Sequence, residues 1–73
     1  MNPFLSDNEN KVLEQLKEVN PKSIWGVAIS NVIKDNAPYK FRHLICELKS
    51  QANDAPECMK QILGPAYENV INL

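Results

Sequence analysis

Four of the five prolines, Pro3, Pro21, Pro38 and Pro56, stand at intervals of 18, 17 and 18 residues in a chain of 73. Each is followed by a stretch about one helix long. Proline fits the first turn of a helix, where its missing N–H would have no intrahelical partner, and it breaks a helix interior or a central strand. The spacing therefore predicts an all-α chain: a compact bundle of four short helices with proline-marked turns, forming a single small domain over residues 1–73. Counted from Pro38 and Pro56, apolar residues recur at the same offsets: Phe41, Leu44, Ile45, Leu48 and Met59, Ile62, Leu63, Ala66. Pro3 and Pro21 do not share this pattern, so similar helices facing one core account for it better than a repeat array does.

A chain this short buries only about 60 % of the surface its unfolded form exposes, so it must fold tightly or lean on a partner. Ser6-Asp7-Asn8-Glu9 has the form of a capping box, and Val12, Leu13, Leu16 and Val19 follow on one face. Helix 1 is expected at about residues 7–19, with Asn20-Pro21 ending it and opening the next. The second segment is apolar around most of its circumference from Ile24 to Ile33. Its β-branched residues would also suit a strand over 24–29. The length of the pattern, and the stripe Trp25, Ala28, Ile29, Val32, favour a helix, which such apolarity makes the most buried of the four. Helix 3 is expected at 38–50, followed by a polar linker at 50–55. Helix 4 follows, with Asp54 as its cap and Pro56 in its first turn. Gly64-Pro65 interrupts or ends it, leaving 66–73 as a last helical turn or a C-terminal arm. The expected core is Val12, Leu13, Leu16, Trp25, Ala28, Ile29, Val32, Phe41, Leu44, Ile45, Leu48, Met59, Ile62 and Leu63.

Several chemistries find no support in these residues. Gly26 and Gly64 lie 38 residues apart, so there is no glycine-rich phosphate loop. His43, Cys46 and Glu47 fall at i, i+3 and i+4, with Cys58 further on, a set of residue types that suits zinc. Paired ligand knuckles are absent and His43 is the only histidine, so no metal and no cofactor are expected. Cys46 beside His43 has the form of a nucleophile and base, but four short helices leave little material for an orienting group and a pocket. Cys58, in the first turn of helix 4, is the more interesting thiol. Enzymatic activity is not expected. Two cysteines without a basic, apolar leader point to free thiols in a reducing cytoplasm, and no apolar run approaches the roughly 20 residues of a membrane span.

Two functional expectations from different classes remain. The first is a non-enzymatic regulator that binds a macromolecule, most of all a protein, with a homodimer as one form of that partnership. The chain holds more aromatic and apolar side chains than four small helices readily hide, and Tyr67, Val70, Ile71 and Leu73 would form the docking arm. The competing expectation is that the arm folds back and completes the core. The alternative function is a helix-turn-helix-like DNA-binding regulator. The net charge is −1, yet residues 38–53 carry +2 while both ends are acidic. Helix 3, through Tyr39, Lys40, Arg42, His43, Lys49 and Gln51, would enter a DNA groove. A solvated helix face explains the same residues, and the slight overall acidity weighs against a nucleic-acid ligand.

Overall fold

The computed structural model describes residues 2–73; Met1, part of the domain expected over 1–73, lies outside the described residues. The elements are α1 (Asp7–Leu16), α2 (Ile24–Asp35), α3 (Pro38–Asp54), α4 (Pro56–Leu63) and α5 (Ala66–Ile71), and no strand occurs among the described residues. The all-α expectation holds, with four helices of eight residues or more and a short fifth. Residues 24–29 are helical, as the length of their apolar pattern implied.

The capping box forms as the sequence dictates. The Glu9 N–H donates to the Ser6 hydroxyl at 3.2 Å, and the Ser6 N–H donates to the Glu9 carboxylate at 2.9 Å. Helix α1 stops at Leu16, short of the expected residue 19. Lys17, Glu18 and Val19 continue as tightened turns, each N–H donating to the carbonyl three residues back. That winding turns Val19 inward, where it is buried. Only two of the four prolines do what the spacing suggested: Pro38 and Pro56 open α3 and α4. Pro3 and Pro21 sit in turns. The true start of α2 is set by Ser23, whose hydroxyl accepts the Gly26 N–H at 2.9 Å.

Two further corrections concern the second half. Helix α3 runs on to Asp54, absorbs the expected linker and buries Ala52. Asp54 is therefore the end of α3 and not the cap of α4; Ala55 (φ −141°, ψ 68°) is the whole corner between them. A residue before proline is pushed out of the helical region, which makes this corner sharp without a loop. Gly64 (φ 55°, ψ −128°) makes the corner into α5, in a backbone region that favours glycine. Residues 66–71 then form a helix, not an extended arm, and Ala66 and Val70 are fully buried.

Helix α3 is the pillar of the molecule. It touches α2, α4 and α5, while α1 closes the core from the side of α5. Its stripe of Phe41, Leu44, Ile45, Leu48 and Ala52 is buried. The expectation that helix 2 is the most buried is wrong: only Gly26 and Ile29 of α2 are buried. Trp25, Ala28, Val32 and Ile62, all expected in the core, are only partly covered. Leu5, Ala52 and Val70 complete the core in ways the helical stripes did not show, and Val19 and Ala66, which lie on those stripes, are buried with them.

The N-terminal segment is fastened by buried amides. The Asn10 side chain accepts the Asn2 N–H at 2.9 Å and donates to the carbonyls of Asn2 and Leu5 at 3.0 and 3.2 Å. The Asn2 amide donates to the Asn36 carbonyl and side-chain oxygens. Asn36 is the left-handed C-cap of α2 (φ 52°), a conformation asparagine adopts more readily than most residues. One amide pair thus ties α1, the N-terminal turn and the end of α2 together. Among the described residues no buried side-chain nitrogen or oxygen lacks a partner.

Candidate interaction surface

Helix α2 has apolar residues on two sides and a neighbour on one. Trp25, Ile29 and Val32 turn toward the body of the molecule. Ile24 and Val27 fall outside that stripe and stand 88 % and 51 % exposed. Gly26 explains how α2 is seated. A Cβ there would lie 1.8 Å from the Asn20 carbonyl oxygen and 2.8 Å from the Pro21 Cα, so the α1–α2 turn rests directly against the helix backbone. This close contact fixes one side of α2 inward and leaves the Ile24 side outward.

Beside that outward face runs a groove between α2 and α3, of about 580 Å³. Ala28, Val32, Tyr39 and Leu44 give it apolar walls. Two ion pairs stand at its rim: Lys40 Nζ with Asp35 at 2.6 Å, and His43 Nε2 with Glu47 at 2.9 Å, charged when the imidazole is protonated. The Lys40 ammonium, by hydrogen bond and then by charge, holds the Asp35 carboxyl below its ordinary range, and Asp35 raises the Lys40 ammonium in return. Tyr39, at the mouth of the groove, is 71 % exposed. The surface combines an apolar floor, a charged rim and a protruding aliphatic side chain, the make-up of a protein contact site.

The residues expected to read DNA do not gather on one face. Successive residues turn by about 100° around a helix, which puts Lys40 and Gln51 on one flank of the buried stripe and Arg42 and Lys49 on the other. The cations are also engaged within the chain. Arg42 pairs with Glu9 at 3.0 Å and donates to the Phe4 carbonyl at 3.1 Å, and its hydrogen bond is the main reason the Glu9 carboxyl is held low. Lys49 donates to the Leu73 carbonyl oxygen at 3.0 Å, and Lys40 is committed to Asp35. Tyr39, His43 and Gln51 are exposed, with Tyr39 and His43 lining the groove instead.

The four expected interface residues are also divided. Val70 is fully buried and belongs to the core. Tyr67 is half-buried, with the Lys60 ammonium 5.6 Å from its ring centroid. Ile71 is at the margin of exposure, and Leu73 is partly buried against the core. The Asn69 amide donates to Gln15 at 2.8 Å, which ties α5 to α1. The segment therefore packs as a fifth helix. Cys46 and Cys58 are free thiols on the surface. Among the described residues no group of three or more metal-ligating side chains converges, and no helix is long and apolar enough to cross a membrane.

Sequence reasoning missed Ile24 and Val27 because it took all-round apolarity for burial. The available signal was that both lie off the Trp25–Val32 stripe, in a chain too small to cover two sides of one helix. Compared with protein-family models, curated proteins and solved structures, the chain finds no match.

Proposed function

We propose that this protein is a non-enzymatic binding module whose outward α2 face and α2–α3 groove dock onto a protein, acting by covering its partner's surface. The observation that carries this reading is Ile24. This large aliphatic side chain is 88 % exposed, in a molecule that buries Phe41, Leu16, Leu48 and Met59 almost completely, and it counts because other apolar surface adjoins it. Val27, Tyr39 and the apolar groove extend it into a patch with a charged rim. Exposed thiols suit a reducing compartment, which supports a cytoplasmic setting. The DNA reading draws less support, because its cations lie on opposite flanks of α3 and are already paired.

The test is a photo-reactive residue at position 27, irradiated in the native host. Adduct formation with a protein at 27, absent from a probe at exposed Gln61 and lost when Ile24→Asp is added, is the expected result. A position 27 that captures no protein overturns the reading.

A further inference from the structure

We infer that the occupant of this surface is a second copy of the same chain, paired through α2 about a two-fold axis. The inference rests on the reading of the α2 face as a docking surface and adds the identity of what docks. Ile24, Ala28, Asn31 and Asp35 follow at i, i+4, i+7 and i+11, so they share one face of the helix. The first is the protruding residue, 88 % exposed, and the other three line the groove. A protrusion and a recess thus lie on one helix, separated by about 6–17 Å at 1.5 Å per residue.

An antiparallel pairing of two such helices crossing at Ala28 brings Ile24 of each copy to the groove of the other at once. Residue i meets residue j and j meets i, which is the requirement of an isologous contact. Ala28, the smallest side chain on this face, sits at the crossing and lets the axes approach.

The charges agree with this direction. The N-terminal end of α2 has Lys22 exposed beside it and no acid in its first turn. The other end of the groove carries Asp35 and Glu47, each about half exposed, together with Lys34, Lys40 and His43. Antiparallel pairing sets each Lys22 beside this charge-balanced end of the other copy and opposes the helix dipoles favourably. A parallel pairing would set Lys22 against Lys22. Ile24 and Val27 are the two large apolar side chains of α2 that stand more than half exposed, against the roughly 20–30 residues a side of a standard stable interface, so the dimer is weak and concentration-dependent.

Sedimentation equilibrium of the whole protein from about 10 μM to 1 mM, concentrations that span weak association, tests this. The expected result is a mass rising from one chain toward two. Ile24→Asp weakens association at least tenfold with the helical circular-dichroism spectrum intact, while Phe4→Ser, at another exposed apolar side chain, leaves it unchanged. A single chain at 1 mM, or association that survives Ile24→Asp, overturns the inference. The position-27 probe separates this failure from that of the broader reading. A single chain that still gives adducts with a different protein overturns the dimer alone, and one that gives no adduct overturns both.

Discussion

Helices α2 and α3 lie side by side, and the more apolar of the two is the less buried. Helix α3 carries charged and polar residues around most of its surface and spends five apolar ones on a single stripe, which α2, α4 and α5 cover together. Helix α2 carries apolar residues on two sides and rests chiefly on α3. Burial follows the number of neighbours an element has, which is a property of the topology; apolarity follows the residues alone. Where the two disagree, the excess apolar surface marks a place the fold has not used.

Substitutions at the two helices sharpen this contrast. Phe41→Ala, at a ring 2 % exposed, removes the largest buried side chain from the pillar and should cost about 3–5 kcal/mol, a large share of the stability of a domain this small. Loss of the cooperative urea transition is the expected outcome; a midpoint near that of the wild type would mean α3 is not the centre. Gly26→Ala comes next. On helix propensity alone it would gain about 1 kcal/mol. The Asn20 carbonyl 1.8 Å from the new methyl reverses that sign, and backbone atoms move only at a cost, so a net loss of about 1–3 kcal/mol is expected. A stabilised variant would mean that the α1–α2 turn does not seat α2.

The smallest effect belongs to the tie between α3 and the N-terminal turn. Arg42 and then the Ser6 N–H hold the Glu9 carboxyl below its ordinary value of 4.5. A carboxyl lowered by folding contributes stability above its unfolded value and loses it as pH falls through the lowered, folded one. With Arg42 about half exposed, the contribution is under about 1 kcal/mol. Glu9→Gln should therefore lower stability slightly at neutral pH and flatten its decline below about pH 4.5, as read by urea midpoints across that range. An unchanged acid limb would show that Glu14 and Asp35, also held low by lysines, account for the decline.

Much of the fold was legible because short-range chemistry decided it. The Ser6–Glu9 box, Pro38 and Pro56 at helix starts, and the Phe41–Leu48 stripe each depend on residues within two turns of one another. What was misread depends on distant contacts. Leu5 enters the core through an irregular turn that no periodicity shows. Val70 looked free because α5 is covered by α1, from the other end of the chain, as well as by α3. Residues 50–54 looked like a linker because they are polar, yet they are helical and Ala52 continues the buried stripe. Of the candidate surface, Tyr39, Lys40 and His43 were singled out from sequence for a different ligand. Ile24 was not, because composition does not tell an unpartnered face from a doubly covered one.

Chemical denaturation of Ile24→Asp beside Phe41→Ala, at a few micromolar protein where a weak dimer is dissociated, tests the central claim most directly. Ile24 opens α2 immediately after its Ser23 cap, a position where an aspartate suits the helix dipole. If the outer face of α2 is unpartnered surface, Ile24→Asp stays within about 0.5 kcal/mol of the wild type while Phe41→Ala loses several. An Ile24→Asp loss comparable to that of Phe41→Ala would place Ile24 in the core and remove the docking surface on which the functional reading stands.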